Sequence, residues 1–252
     1  MNQSVAKALQ LLDLFTEEQP EWSLKDISKQ SGIPKPTAYR LLTTLESGNF
    51  VFKMKTTEHD SRYRLGLKLL EMGQLVSEQL EVRKIALPFM QMLANDINEV
   101  IHLVIVNQNK AVYIEKVENT RALRLYTKVG KSTPLYMGSG PKLLLAHLPI
   151  DKQREIFREV GNKQLRDGRV IDERRLREEL VEIRKQGFSY SVGEQDPYTT
   201  GISYPIFDYR GHVISALTVS GLSSYFEGDN LRRIKNQTEV TARQVSRKLG
   251  FN

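Results

Sequence analysis

Side chains that can contact nucleic acid are concentrated in residues 35–47, which have the periodicity of a helix. When successive residues are placed 100° apart, Ala38, Leu41, Leu42 and Leu45 share one side. The opposite side and its flanks carry polar and small residues: Pro36, Thr37, Tyr39, Arg40, Thr43, Thr44 and Ser47. Arginine can read a guanine through two hydrogen bonds, and the residue types at Lys35, Thr37 and Tyr39 suit phosphates. We therefore expect this side of the helix to lie in a major groove of DNA, with Arg40 on a base.

A second group of basic residues flanks a predicted hairpin with short strands at 50–53 and 62–65: Lys53, Lys55, Arg62 and Arg64. Residues 34–65 hold six basic against three acidic side chains. This signal is local, because residues 1–65 as a whole hold nine basic and eight acidic residues, although the chain has a net charge of +7. We expect the hairpin residues to reach phosphate groups or the minor groove.

The tripeptide Gly138-Ser139-Gly140 stands between a predicted strand and a predicted helix. Glycine lets a ligand approach the backbone, and N–H groups at the beginning of a helix favour an anion, so this segment could hold a carboxylate. The spacing of a phosphate-binding P-loop, Gly-x4-Gly-Lys-Ser/Thr, is absent. A plain turn that opens a helix is the alternative interpretation of the same residues.

Residue types that carry catalysis are scattered along the chain. The four histidines show no metal-ligand spacing, and we expect each to be a surface or packing residue: His59, His102, His147 and His212. No Gly-x-Ser-x-Gly motif occurs, and the lack of cysteine excludes disulfides, thiolate catalysis and zinc fingers. Glu194 and Asp196 could form an acid–base pair, although a solvated loop before Pro197 is the favoured interpretation. We therefore predict no enzyme activity, no cofactor and no metal site.

The elements that position the first group of residues have the order of a winged helix-turn-helix. Helices are predicted at 4–16, 24–30 and 35–47, with Ser4 and Ser23 as N-caps of the first two. Gly32 and the dipeptide Ile33-Pro34 supply the sharp turn before the third helix, and the hairpin follows as the wing. The pattern favours DNA binding, with a winged helix that docks another protein as the alternative.

The remaining residues indicate a linker and a second domain. Residues 66–81 have a helical pattern and form the candidate linker. In residues 82–252, helices and antiparallel strands mix without a strict βαβ alternation, which predicts an α+β fold. Helices are expected at 85–97, 141–148, 151–160, 172–186 and 229–249, and strands at 100–106, 111–118, 122–128, 187–193, 202–207 and 212–220. A chain of 252 residues is long enough for two ordinary domains.

Several motifs, in chain order, give the sequence a family resemblance. One run resembles the helix-turn-helix of IclR-type bacterial transcriptional regulators. It consists of Ser23-Leu24, Ile27 and Ser31-Gly32-Ile33-Pro34-Lys35-Pro36-Thr37-Ala38-Tyr39-Arg40-Leu41-Leu42-Thr43-Thr44-Leu45. Tyr63-Arg64-Leu65-Gly66 resembles that family's exit from the wing into the linker helix. Pro134-Leu135-Tyr136 with residues 141–146 resembles a loop and helix of its effector domain, and residues 205–208, 211 and 215–221 resemble its closing hairpin. The matches span nearly the whole chain.

The resemblance implies a domain order and an effector site. It implies a winged helix-turn-helix at 1–65, a linker helix at 66–81, and an effector-binding and oligomerisation domain with a GAF-like antiparallel sheet at 82–252. In this family the loop backbone, here Gly138, Ser139 and Gly140, would hold the carboxylate of a small organic acid. Polar positions of later strands would complete the pocket, here Ser191, Gly201, Thr218 and Ser220.

Three positions depart from the family pattern. Gly201 stands where many members have cysteine, and Ser191 stands where some have aspartate. The helix opens with Pro141-Lys142 where Gly-Lys is usual, and proline removes one potential N–H donor. The polar end of the ligand is therefore expected to differ from the better-known acids of the family.

These observations predict a sequence-specific DNA-binding transcriptional regulator, with repression favoured, whose operator affinity is controlled by an organic-acid-like effector. One winged domain makes too few contacts for tight binding, so at least a homodimer is expected, and the resemblance implies dimers through the N-terminal portion and often tetramers through effector domains. A polar N-terminus and the absence of an apolar run of ~20 residues predict a cytoplasmic protein. The alternative is a winged-helix protein whose C-terminal domain is a small-molecule-processing enzyme.

Overall fold

The computed structural model describes residues 2–55, 61–79, 81–120, 127–160, 163–164, 168 and 170–251. The chain forms two compact units, Met1–Gln79 and Leu80–Asn252, and each unit has its own buried apolar core. The boundary between the units falls inside the segment 66–81, which the sequence analysis assigns to a linker.

Three helices open the first unit, and the second and third form the helix-turn-helix. They are α1 (Gln3–Leu12), α2 (Leu24–Ser31) and α3 (Lys35–Ser47), with the short strand β1 (Glu21–Ser23) between α1 and α2. The side chain of Ser23 caps α2 by accepting a hydrogen bond from the backbone N–H of Asp26 at 3.2 Å. Gly32 follows α2 with a φ of 69°, a left-handed conformation that glycine adopts without strain. Helix α3 begins and ends at the predicted residues, 35 and 47.

Helix α1 differs from its prediction at both ends. Asn2, and not Ser4, is the N-cap, because its Oδ1 accepts hydrogen bonds from the N–H groups of Ser4 and Val5 at 3.0 and 3.3 Å. The helix ends at Leu12 instead of residue 16, with Asp13 as its C-cap, and beyond the helix the carbonyl of Leu14 accepts a hydrogen bond from the Trp22 indole at 3.0 Å.

The wing is a three-stranded antiparallel sheet in the order β1-β3-β2, where β2 is Val51–Lys55 and β3 is Ser61–Leu65. The sequence pattern predicts β2 and β3 but gives no signal for β1, because three residues beside a helix cap carry no strand periodicity. Trp22 of β1 and Lys53 of β2 lie opposite Tyr63, whose side chain is buried against the helices. After the wing come α4 (Lys68–Gln79) and α5 (Glu81–Ile97).

A six-stranded antiparallel sheet organises the second unit. Its strands are β4 (Val100–Asn107), β5 (Lys110–Val117), β6 (Ser132–Pro134), β7 (Ser189–Val192), β8 (Thr199–Phe207) and β9 (Val213–Leu222). Their spatial order is β6-β5-β4-β9-β8-β7. The predicted strand at 122–128 lies mostly on residues outside the described ranges, and Thr127 and Lys128 are not part of a strand. The third described strand of the second unit is β6, which the sequence pattern does not predict.

Helices cover both faces of this antiparallel sheet, and the unit has the α+β class that the sequence predicts. Helix α5 packs on one face together with the last helix of the chain. This last helix is α9 (Gly228–Lys248). The other face carries α6 (Ser139–His147), α7 (Ile150–Val160) and α8 (Glu173–Gln186). Helix α6 is buried from Ser139 to Ala146, so its side chains reach the sheet and the outer helices at once. None of the helices in the described ranges is long and apolar enough to cross a bilayer.

Candidate nucleic-acid interface and effector site

Helix α3 buries one side and exposes the other, as its periodicity predicts. Ala38 and Leu42 are fully buried, and Leu41 and Leu45 are partly buried against the same core. The opposite side is open to solvent at Lys35, Pro36, Tyr39, Arg40, Thr43, Thr44 and Ser47, and Thr37 is half-buried. The proposed recognition surface is therefore not packed within its own unit.

The polar groups on this surface differ in what they still offer a partner. The hydroxyls of Thr43 and Thr44 donate to the carbonyls of Tyr39 and Arg40 at 3.0 Å, so their oxygen atoms remain available as acceptors. The Arg40 guanidinium makes no ion pair or hydrogen bond with any residue in the described part of the chain. Arg40 consequently keeps all its donors for an external acceptor.

The wing separates its basic residues onto two sides of the sheet. Lys53 lies opposite Tyr63 on the side that faces α3, with its Nζ 5.9 Å from the ring centres of Tyr39 and Tyr63. Arg64 donates two hydrogen bonds to Glu21, at 2.9 and 2.6 Å, and Arg62 lies 3.5 Å from the same carboxylate. Lys55 ends β2. Sequence reasoning groups these residues, but the β1 strand with Glu21 partly neutralises two of them.

A concave surface lies between the helices and the wing and encloses a cavity of about 420 Å³. Three lysines line it, Lys25, Lys35 and Lys53, together with Tyr39 and Tyr63. Ammonium groups that converge on a concave surface attract a phosphate. Lys25 is not among the DNA contacts predicted from the sequence, because a lysine near the N-terminus of α2 looks like any other exposed charged residue of a helix.

In the second unit, the residues predicted to bind an effector come together beneath the first turn of α6. A Cβ atom at Gly140 would lie 2.6 Å from Thr218 Oγ1, and one at Gly201 would lie 2.6 Å from Ser139 Oγ and 3.3 Å from Ser191 Oγ. These glycines are required by close packing. Ser220 lies directly opposite Gly201 in the sheet.

A hydroxyl chain links these residues through Ser203, which sequence reasoning did not identify. The Ser203 Oγ donates to Ser139 Oγ at 2.8 Å and lies 2.8 Å from Thr218 Oγ1. All three side chains are buried, so the hydrogen bonds satisfy groups that water does not reach. The Ser139 hydroxyl also fills the space that a larger side chain at Gly201 would occupy, which gives the glycine at this position a steric reason.

The carboxylate of Glu194 occupies the position at which a ligand carboxylate is expected. The Gly138 N–H donates to its Oε2 at 2.7 Å, and Lys142 Nζ contacts its Oε1 at 2.6 Å. Lys142 is only 2% exposed and also pairs with Glu179. The interpretation of Glu194 as part of a solvated loop is wrong, because its side chain is 12% exposed and holds a buried ammonium group.

The sequence contains a signal for this ion pair. Lys142 stands alone among Pro141, Leu143, Leu144 and Leu145, in a helix whose other residues up to Ala146 are apolar or small. A charge in such a run must be buried and needs a partner, because an unpaired buried charge is strongly destabilising.

Gln195, next to Glu194, closes the adjoining part of the site. Its Nε2 donates to the carbonyl of Met137 at 2.8 Å, and its Oε1 accepts from the Tyr113 hydroxyl at 3.0 Å. Burial raises the pKa of Tyr113 to about 12, so its phenol stays protonated as a donor. Gln195 also lines a cavity of about 200 Å³ with Thr133, Met137 and others.

The three histidines that the structure describes have different surroundings. His59 lies outside the described residues, His212 is exposed near Asp208, and His147 Nδ1 lies 2.9 Å from the carbonyl of Leu143. His102, in contrast, is fully buried. In the described ranges, no cluster of three histidine, aspartate or glutamate residues could hold a metal ion.

A winged helix-turn-helix with an exposed recognition surface, followed by an α+β unit with a buried polar site, defines a ligand-responsive transcriptional regulator. Comparison with protein families agrees with this class. Residues 4–53 match the IclR helix-turn-helix domain, and residues 74–247 match the bacterial transcriptional regulator IclR C-terminal domain. The chain belongs to the IclR family of transcriptional regulators, and it is a DNA-binding regulator with an effector-binding C-terminal domain.

Similar proteins cover nearly the whole chain. The HTH-type transcriptional regulator KipR of Bacillus subtilis is 32% identical over 250 residues, which are 99% of this chain and 98% of that protein. The HTH-type transcriptional repressor AllR of Escherichia coli is 27% identical over 252 residues, covering 99% of this chain and 91% of that protein. Both are named as regulators and not as enzymes.

The fold is also that of solved family structures. A crystal structure of an IclR homologue from Microbacterium hydrocarbonoxydans, in complex with 4-hydroxybenzoate, superposes with a TM-score of 0.79. It is 22% identical in sequence and covers 98% of this chain and 100% of that chain. This likeness concerns the fold.

Proposed function

We propose that the protein is a cytoplasmic repressor that binds its operator through α3 and the wing, and that a small carboxylate alters this binding. The exposed polar surface of α3 is the observation that carries the DNA-binding part, together with an Arg40 guanidinium that pairs with none of the described residues. The repressor names of relatives such as AllR support the sign of regulation. The proposed domain bounds are those predicted from the sequence: residues 1–65 bind the operator, residues 66–81 form a linker helix, and residues 82–252 bind the effector and form oligomers.

In this proposal α3 lies in the major groove and Arg40 reads a guanine, with Pro36, Thr43 and Thr44 close to the bases. Phosphate contacts come from the lysine-lined concave surface and the wing: Lys25, Lys35, Thr37, Tyr39, Lys53, Lys55, Arg62 and Arg64. Arg62 and Arg64 exchange part of their bonding to Glu21 for phosphate, so we expect them to contribute less than Lys35 and Lys53.

The test compares Arg40→Ala with Lys35→Ala on an operator selected by the wild-type protein from random duplexes. Arg40→Ala is expected to lose about 1–3 kcal/mol on the selected site and to relax the preference at one base pair, because it removes a base contact. Lys35→Ala is expected to weaken all duplexes alike and to lower the slope of log affinity against log salt by about 1. Gel shifts at several salt concentrations measure both effects.

Two results would count against this arrangement. Arg40→Ala with unchanged affinity and base preference would reject the recognition surface. A wild-type protein whose DNA binding does not weaken with salt would reject the phosphate contacts, since counterion release makes such binding depend on salt.

The effector part of the proposal rests on the site beneath α6. Backbone N–H groups at the start of this helix and the Lys142 ammonium favour an anion, and a carboxylate of the chain itself, Glu194, takes this position. The 4-hydroxybenzoate complex of the Microbacterium homologue supports an organic acid as the effector class. The proposed binding residues are Gly138, Ser139, Gly140, Ser191, Gly201, Thr218 and Ser220.

An incoming carboxylate must displace Glu194 from Gly138, and this gives the effector a way to change the protein. A ligand shifts a conformational equilibrium only through its different affinities for the two states. A coupling of about 1–3 kcal/mol would change operator affinity roughly 5–150-fold. The effector class is tested by calorimetric titration of the protein with a panel of small acids: acetate, pyruvate and 4-hydroxybenzoate. A panel in which no acid binds would reject the class.

A further inference from the structure

A row of polar side chains crosses the sheet on the face that α6 covers. Directly opposed positions on five neighbouring strands place these side chains in line: Lys116 on β5, His102 on β4, Thr218 on β9, Ser203 on β8 and Ser189 on β7. Directly opposed residues of antiparallel strands project from the same face of the sheet. Because Thr218 and Ser203 contact the first turn of α6, His102 belongs to the same buried layer.

His102 has no hydrogen-bond partner in this layer. Its side chain is 1% exposed, and neither Nδ1 nor Nε2 bonds to any group in the described part of the chain. Its neighbours Thr218 and Ser203 are satisfied by each other and by Ser139. The Tyr113 ring packs edge-on against the imidazole, with ring centres 5.3 Å apart. An imidazole with two unbonded nitrogens therefore lies beside hydroxyls that are already bonded to each other, while the Ser189 hydroxyl at the end of the row also has no partner among the described residues.

The imidazole is neutral at physiological pH. Burial, together with the nearby Lys116 ammonium, lowers the pKa of His102 to about 3. A neutral imidazole has one N–H donor and one acceptor nitrogen, and burying both without partners is costly. An apolar side chain would fill this position without that cost, so packing alone does not explain a histidine here.

The surroundings favour an anionic partner of small size. The Lys116 ammonium stands beside His102 in the row, 2.8 Å from Glu118, and Lys142 lies near the other end of the first turn of α6. The Tyr113 ring separates the imidazole from Gln195, to which its hydroxyl donates, and Gln195 lines a cavity of about 200 Å³ that His102 itself does not line. This volume is smaller than that of pockets for drug-sized ligands and suits a small organic acid.

We propose that His102 is a ligand-binding residue of the effector site, and that its imidazole N–H donates a hydrogen bond to an oxygen atom of a small carboxylate. This inference rests on the proposed function, since it deepens the effector part of it. Neither the family resemblance nor the sequence pattern assigns His102 to the site, because the sequence analysis expects a packing or surface residue. Ligand binding gives the buried imidazole the partner that the protein itself does not supply.

The experiment uses the full-length protein with 15N-labelled histidine and the acid panel of acetate, pyruvate and 4-hydroxybenzoate. An acid that binds is expected to shift the 15N resonances of His102 and to leave those of His212, which is exposed, unchanged. In calorimetric titrations, His102→Phe is expected to weaken this acid at least tenfold. His102→Gln is expected to stay within about threefold of wild type, because its amide N–H can still donate.

Far-UV circular dichroism serves as the control for folding, and equal spectra are expected for all three proteins. If His102→Phe fails to fold, the resonance shift in the wild-type protein decides the question, because a bound acid that leaves the His102 resonances unmoved would overturn the role of His102. Equal acid affinity in wild type and His102→Phe, with unmoved His102 resonances, would overturn the role of His102 alone. If no acid of the panel binds a wild-type protein that still binds its operator, the carboxylate effector and the role of His102 are rejected together, and DNA binding stands.

Discussion

Glu194 shows how a single side chain can take the place of a ligand. Both of its carboxylate oxygens are bound, one by the Gly138 N–H and the other by the Lys142 ammonium. A free carboxylate would use the same two donors. In the proposed site, a carboxylate effector therefore competes with an internal group whose local concentration is high, and we expect the affinity to reflect the difference between the two.

Replacing Glu194 by glutamine should raise the affinity for the acid that binds best in the panel. The neutral amide no longer competes as an anion, while Lys142 keeps Glu179 as its partner. We expect about a tenfold gain in affinity, equivalent to ~1.4 kcal/mol. Glu179→Gln is the matched control, since it also removes a Lys142 contact but leaves Glu194 on Gly138. Calorimetry that finds no gain in Glu194→Gln, or the same gain in Glu179→Gln, would reject this competition.

At the scale of elements, the connection from the wing to α4 depends on Gly66. This residue passes so close to the end of α3 that a Cβ atom would lie 2.1 Å from the carbonyl oxygen of Asn49. Its N–H also donates to the Phe50 carbonyl at 2.8 Å. The motif that ends in Leu65-Gly66 thus fixes where the chain leaves the wing, since the contacted atoms belong to the backbone and cannot rotate away.

Gly66→Ala should destabilise the first unit, because the backbone must move to accept the methyl group. We expect a loss of about 2 kcal/mol or more in the free energy of unfolding. Gly73→Ala is the control: Gly73 is exposed on α4 with no atom within 4 Å of a Cβ, so alanine should stabilise by up to ~1 kcal/mol. Trp22, the only tryptophan of the chain, reports unfolding of this unit in urea. Equal stability of the two variants would contradict the role of Gly66.

At the scale of the whole molecule, the first unit carries several large apolar side chains that are exposed to solvent. On and just before α4, Leu67, Leu70 and Leu75 are 61–77% exposed, and Val5 and Leu9 on α1 are more than half exposed. Exposed apolar surface of this kind marks an interface with another protein. A dimer would also supply the two half-sites that tight operator binding needs, so a second copy of the chain is the expected partner.

Leu70→Glu should disrupt this dimer by placing a charge in the apolar surface. Sedimentation velocity is expected to show a smaller species, and operator affinity should fall by roughly 100-fold or more, because the second half-site is no longer bound by a linked domain. Tyr209→Glu is the control, with a side chain that is 66% exposed in a turn of the second unit. An unchanged sedimentation coefficient for Leu70→Glu would exclude this interface.

The sequence alone determines those features that depend on local periodicity and turn chemistry. The bounds of α3, the turn at Gly32 and the exposed side of the recognition helix follow from leucine spacing and glycine conformation, and the structure agrees with them. The α+β class and the helix α8 with its Asp172 cap follow from the same rules. Each of these needs information from only a few neighbouring residues, which a single sequence contains.

Tertiary structure decided which distant side chains meet. Glu194 lies 52 residues from Lys142, and His102 meets Thr218 across two strands that are more than 100 residues apart in the chain, so no spacing rule could pair them. The strand β1 with Glu21 likewise could not be predicted from the sequence, because these three residues form a strand only by pairing with β3. Long-range pairing and burial set these contacts, and they depend on the packing of the whole unit.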